Sequence, residues 1–227
     1  MFIPNKEPPQ DRAGVSFTDE PLISLSEHFG GRIAISPQYF LRGIPGAVDC
    51  CLLRKSAVAL LEDALSRLPK GLTFKVFDAW RPAEVQTALF EQFYGLLKEQ
   101  NPSWDENRLR AETRKFVSLP SLDPDRPSVH NSGGAIDLTI IETESGRELD
   151  MGTGFDDFTE KSLTAHFENS GSAVIRDNRR LLYRVMTEAG FTNYPLEWWH
   201  YDYGDSFWSY YTGRPAIYRG IIKETEK

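Results

Sequence analysis

Cysteine is nearly missing from this chain. The only two in 227 residues, Cys50 and Cys51, are adjacent. Neighbouring cysteines bridge each other only with severe backbone distortion, so no disulfide framework is expected and both read as small buried hydrophobes. No apolar run is long enough to span a bilayer, and the amino terminus, MFIPNKEPPQDRAG, lacks the apolar stretch of a secretory signal. A cytoplasmic location is the expectation. Positive charge is in deficit: 26 Lys and Arg face 33 Asp and Glu, for a net charge of -7. That balance argues against nucleic acid or an anionic membrane as partner and leaves small substrates, peptides and cations. Repeats, low-complexity tracts and composition shifts that would mark a linker are also absent.

What is present is ordinary for a globular protein. Five Trp, nine Tyr and fourteen Phe are enough to build a core without covalent staples. Residues 1–20, rich in Pro, Asp and Glu, read as an extended arm, and 21–227 as one compact domain. Between positions 53 and 68, Ala57, Leu60, Leu61, Ala64, Leu65 and Leu68 recur at helical spacing until Pro69 and Gly71 stop the helix. LTFKVFD at 72–78 reads as a strand, and Pro82 opens a helix that runs to residue 100. A helix is expected over 107–117, a loop over 120–134 and a buried strand over 135–141. Another helix is expected over 174–189, closed by Gly190, and a last strand over 198–203. Helices precede clustered late strands, which predicts an α+β fold with a central antiparallel sheet.

Histidine is scarce too, and the scarcity narrows the search for chemistry. His28, His130, His166 and His200 are the only four. A catalytic zinc site needs three protein ligands and an open position. His130 and Asp137 flank Gly133 and Gly134, which allow a sharp turn, so a loop His and a strand Asp can meet one ion. Ala135, Asp137 and Thr139 share one strand face, opposite Ile136, Leu138 and Ile140. The plain alternative is a loop His hydrogen-bonded to a strand Asp. Glu197-Trp198-Trp199-His200 offers a third ligand and a general base. A regular strand would point Glu197 and His200 to opposite faces, so Glu197 must sit at an irregular start, which Pro195 favours. The alternative there is an aromatic strand with a surface His. In Asp78-Ala79-Trp80-Arg81-Pro82, Arg81 stands where it can stabilise an oxyanion or hold a carboxylate, and Asp78 can orient it or cap the next helix. An Arg before Pro is also a common surface residue.

In order along the chain, FDAWRP at 77–82, SVHNSGGAIDLTI at 128–140, LDMGTGFDDF at 149–158 and LEWWHY at 196–201 resemble the bacterial zinc D-alanyl-D-alanine dipeptidases. That group includes the vancomycin-resistance dipeptidase, and the likeness runs from about Cys51 to Tyr203. The resemblance implies the zinc D-Ala-D-Ala peptidase fold, shared with Hedgehog-type domains, and one zinc per chain on His130, Asp137 and His200. It implies Glu197 as general base, Arg81 as transition-state stabiliser, and Ser128 and Asp156 lining the substrate site. Asp156 matches the acid that receives the substrate ammonium, and a small dipeptide is the implied partner. The sequence departs in reading Trp-Arg-Pro where a Tyr often precedes the Arg. It departs again in offering Ile33, within GGRIAIS, where some members carry a site Tyr. His166 and His28 fall outside the ligand set. Two rival functions remain: a zinc carboxypeptidase acting on longer wall peptides, and a zinc-holding binding module without catalysis.

Overall fold

A computed structural model describes residues 18–114, 117–157, 159–169 and 171–221. In chain order these form β1 (Leu22–Ser24), α1 (Leu25–Phe29), β2 (Ala34–Ile35), α2 (Gln38–Leu41), β3 (Leu52–Arg54), α3 (Lys55–Ser66), β4 (Leu72–Asp78) and α4 (Ala83–Gln100). They continue as α5 (Glu106–Thr113), α6 (Val129–Ser132), β5 (Ala135–Glu142), a 3-10 turn (Glu160–Ser162), α7 (Ala173–Ala189), β6 (Thr192–Asn193), β7 (His200–Asp202) and α8 (Ser206–Thr212).

The central sheet has the order β2-β4-β5-β7-β6. β4 and β5 form its long antiparallel pair, and β7 and β6 extend it antiparallel. One face of β5, Ile136, Leu138 and Ile140, joins Phe74 and Val76 of β4 against Ala57, Leu61 and Ala64 of α3 and Leu182, Val185 and Met186 of α7. Burying each such Leu, Ile or Phe contributes roughly 1.5–3 kcal/mol, so this layer anchors the sheet. The opposite face of β5 carries Ala135, Asp137 and Thr139, all buried, and is the face given over to the site.

The α+β class is as the sequence predicts, but the sheet is mixed rather than wholly antiparallel. β2 pairs parallel with β4 at the edge. A parallel neighbour needs a long crossover, here running through β3 and α3, and a two-residue strand leaves too little pattern to read. The helix expected over 53–68 spans only 55–66, because Leu52–Arg54 is drawn into a two-stranded ribbon with β1. Within the expected loop 120–134 lies the single turn of α6. α5 ends at Thr113, and residues 115 and 116 of its expected span lie outside the described residues. The last strand is three residues, not six; Trp198 and Trp199 belong to a turn.

Residues 1–17 of the expected arm lie outside the described residues. Thr18 donates its backbone N–H to Ile217 O at 2.9 Å. Glu20 accepts from the N–H (2.8 Å) and hydroxyl (2.7 Å) of Ser56, satisfying a free donor at the start of α3. Among the described residues, no helix is long and apolar enough to cross a membrane.

Candidate active site

The site begins as a row across the sheet. Asp78 of β4 stands opposite Asp137 of β5, which stands opposite His200 of β7. Directly opposed residues share a face with Cβ atoms roughly 5 Å apart, so the register itself gathers three polar groups. The pairing of β4 is irregular between Val76 and Asp78, a local kink that re-aims Asp78. Phe77, at the kink, stacks on Phe155 at 4.9 Å between centroids.

His130 reaches this row from α6. Gly133, at φ 78°, ends that turn in a left-handed conformation that a side chain would strain. Gly134 is required by space, since a Cβ there would stand 2.2 Å from the carbonyl oxygen of Tyr203. The reversal brings His130 Nε2 to 3.4 Å from Asp137 Oδ2, while His200 Nδ1 lies 2.9 Å from Asp137 Oδ1. One ligand atom from each of His130, Asp137 and His200 lies within 4.8 Å of the others, and all three residues are buried.

Their outer contacts fit a metal. His130 Nδ1 donates to the carbonyl of Ala79 at 2.8 Å, which leaves the Nε2 lone pair facing inward. His200 Nε2 meets Asp202 Oδ1 at 2.7 Å, which leaves Nδ1 toward the centre. Ligating imidazoles are held this way, by a carbonyl or carboxylate on the far nitrogen. Burial pulls His130 well below the ordinary imidazole value, helped by the neighbouring Arg81 and His200 charges, so it stands neutral as a ligand must. Burial also acts to lower His200, but Asp202 and Asp137 outweigh it and hold it well above the ordinary value, so a metal bound there would displace its Nδ1 proton. This His-His-Asp triad can coordinate a metal ion, and its donors are those of a zinc site with an open position.

Glu197 sits where the sequence requires, in the turn before β7. Its N–H donates to Tyr194 O at 3.1 Å and its carbonyl accepts from His200 N at 3.3 Å. Asn193 clamps this turn, donating to the carbonyls of Glu197 (3.2 Å) and His200 (2.9 Å). The Glu197 carboxylate thus lies 3.9 Å from His200 Nδ1, on the same side as the triad. Burial pushes its carboxyl up to about 8.

Arg81 is enclosed. Its Nε donates to Asp78 Oδ2 at 2.8 Å, Nη1 to Gln86 Oε1 at 2.9 Å and Nη2 to the Tyr39 hydroxyl at 3.3 Å. Burial acts to lower its guanidinium, but Tyr39, Asp78, Asp137 and Asp156 together hold it above its ordinary value, so it stays charged. Asp78 therefore orients Arg81 and does not cap α4, whose N-cap is Pro82. Burial pushes Asp78 up to about 7 against the pull of Arg81.

Asp156 lies at the rim. Tyr39 donates its hydroxyl to Oδ1 at 3.2 Å, and Arg42 Nη1 donates to Oδ2 at 2.6 Å. Burial raises its carboxyl, with Arg42 and Arg81 opposing. The 149–157 loop that carries it is tied down by buried Arg179 of α7, which donates to the carbonyls of Met151, Leu163 and Lys161, each at 2.7 Å.

His130, Asp137, His200, Glu197, Arg81, Ser128 and Asp156 all line one cavity of about 460 Å³. Leu89, Phe93 and Leu96 of α4 supply an apolar wall. His28 pairs with Glu62 at 3.3 Å and His166 packs on Phe167, both away from that lining. Ile33 is buried in the core, and the phenols that line the cavity are those of Tyr39 and Tyr194. The sequence reading missed Tyr39, Arg42, Gln86 and Asn193. Only Gln86 left a signal, as a polar residue on the buried stripe of α4 beside Val85 and Phe90.

A family model for D-Ala-D-Ala dipeptidase matches residues 41–215. The chain belongs to this family. It is 33% identical to the D-alanyl-D-alanine dipeptidase of Escherichia coli K12 over 153 residues, 67% of this chain and 66% of that one. It is 26% identical to the Synechocystis D-alanyl-D-alanine dipeptidase over 179 residues, 70% of this chain and 72% of the relative. A 74-residue stretch is 43% identical to the Enterococcus faecium D-alanyl-D-alanine dipeptidase, covering 33% of this chain and 36% of that one. Among solved structures, VanYB in complex with D-Alanine-D-Alanine is similar at TM-score 0.47 and 16% identity, covering 88% of this chain and 87% of that one. A vancomycin-resistance D,D-pentapeptidase VanY in complex with Zn(II) is similar at 0.48 and 16%, covering 90% and 95%. Membership of this family makes the chain a hydrolase of the zinc metallopeptidase type, acting on D-Ala-D-Ala-type substrates of cell-wall metabolism.

Proposed function

We propose that this protein is a zinc-dependent dipeptidase that hydrolyses D-Ala-D-Ala to free D-alanine, with one zinc per chain. The observation that carries the reading is the convergence of a three-ligand set, an adjacent carboxylic acid and a fixed guanidinium in one cavity. Held by His130, Asp137 and His200, zinc would polarise the scissile carbonyl and bring the pKa of a water down toward about 7.

The rest of the chemistry belongs to the chain's own side chains. Glu197 takes a proton from the attacking water and then returns it to the departing amine nitrogen. Arg81, charged and locked by Asp78 and Gln86, donates to the oxygen that gains charge as water adds to the carbonyl. A fixed donor of this kind needs no reorientation at the moment of reaction. Asp156 receives the substrate ammonium. Ser128, whose hydroxyl makes no capping bond to α6, binds an end of the dipeptide.

A binding module without catalysis needs neither Glu197 nor Arg81, and both line the cavity. The carboxypeptidase reading gains support from one contact, the engagement of Asp156 by Arg42. The test is release of free alanine by zinc-loaded protein from D-Ala-D-Ala beside L-Ala-L-Ala. Cleavage of the D,D-dipeptide in clear preference is expected. Equal or preferred cleavage of the L,L-dipeptide would overturn the assignment.

A further inference from the structure

Three carboxylates line the cavity among the described residues: Asp137, Glu197 and Asp156. The proposed reaction uses the first for the metal and the second for the proton. Asp156 is the third acid, the one left to meet a cationic substrate group, and its backbone is unusual. Among the described residues it is the only non-glycine with a positive φ, 61°. Such a conformation is held by its surroundings and concentrates at functional sites.

A cation already occupies Asp156. Arg42 follows α2 directly and sets its guanidinium 2.6 Å from Oδ2, over the rings of Tyr39 (5.8 Å) and Phe155 (5.4 Å). Tyr39, on the same short helix, holds Oδ1. The two arginines of the cavity therefore differ in kind. The Arg81 side chain is 10% exposed and bonded on all sides, whereas that of Arg42 is 42% exposed and faces water beside its carboxylate partner.

An empty buried carboxylate would select strictly for a substrate with a free amine, because a blocked amine would leave that charge uncompensated. Here that penalty is removed within the chain. A free ammonium reaches Asp156 by displacing Arg42, one charge-assisted bond for another. A blocked substrate leaves the Arg42 pair in place. We infer that Arg42 is a specificity-determining residue: it stands in for the substrate ammonium on Asp156 and makes the site accept amino-acylated D,D-peptides beside free dipeptides. The inference rests on the reading of the cavity as a D,D-peptidase site.

The test compares kcat/KM for D-Ala-D-Ala and N-acetyl-D-Ala-D-Ala in zinc-loaded wild type, Arg42→Lys and Arg42→Ala. Wild type should cleave both, with a preference within about tenfold, given the modest strength of half-exposed ion pairs. Arg42→Ala should raise the preference for the free dipeptide a further tenfold or so, mainly through KM, and Arg42→Lys should stay near wild type. In an Asp156→Asn background the same Arg42→Ala change should leave the preference unmoved. An equal effect of Arg42→Ala on both substrates, or a wild type that rejects the acetylated peptide outright, would overturn the inference. If wild type cleaves neither peptide, the dipeptidase reading fails by itself. Calorimetric titration with the same two uncleaved peptides then decides on Arg42, whose removal must still favour the free amine.

Discussion

The floor of the cavity and its rim are built differently. On the floor, Asp78, Asp137 and His200 stand in register on three hydrogen-bonded strands, above Ile136, Leu138 and Ile140, none of which has any exposed surface. The cationic and imidazole groups at this floor each have a second contact that fixes them: Ala79 for His130, Asp202 for His200, Asp78 and Gln86 for Arg81. On the rim, Asp156 is met by Arg42 from a segment 114 positions away, and Leu96 is 48% exposed. Chemistry that tolerates little displacement rests on the packed sheet. Selectivity, which tolerates re-pairing, rests on short segments that meet only in the folded chain.

That division orders the mutational effects. Glu197→Ala should leave zinc bound and lower kcat by about 10²–10⁴-fold, the usual contribution of a positioned base; turnover near wild type would remove Glu197 from that role. His200→Ala should abolish stoichiometric zinc by elemental analysis, and full occupancy would contradict its place in the triad. Asp202→Asn keeps the shape but weakens the acceptor behind His200, so zinc affinity or activity should fall about 10–100-fold; competition with a chelator would measure it. Arg179→Met would strand the carbonyls of Met151, Leu163 and Lys161 and loosen the loop that bears Asp156. Urea unfolding should show a loss of about 1–3 kcal/mol for each carbonyl left buried and unpaired, and KM should rise more than kcat falls. An unchanged KM would mean that the loop is held by other contacts. Leu96→Ser, on the exposed wall, should change stability by no more than about 0.5 kcal/mol. A larger loss would show that the rim shares the packing of the floor.

The same division decides what the sequence makes legible. His130 and Asp137 lie seven positions apart around two glycines, and Glu197 and His200 three apart after a proline, so local spacing carries most of the floor. The irregular start before β7 follows from requiring two side chains on one side of a strand, and the turn at Tyr194–His200 has that form. The rim has no such signature. Tyr39 and Arg42 sit on and just after a four-residue helix, too short for any periodicity, and their partner lies in a loop far along the chain. Ile33 marks where a site tyrosine is lacking, but nothing in the pattern says that Tyr39 places a phenol against Asp156. β2, β6 and β7 are two or three residues long and exist through pairing with neighbours, which a single sequence does not display.

Zinc content and D-alanine release from D-Ala-D-Ala, measured on the same purified protein before chelation, after it and after zinc is returned, test the central claim most directly. The account predicts one zinc per chain, cleavage that stops when the metal is removed, and recovery when zinc is restored. Cleavage that persists in metal-free protein, or a full complement of zinc with no cleavage, would contradict it.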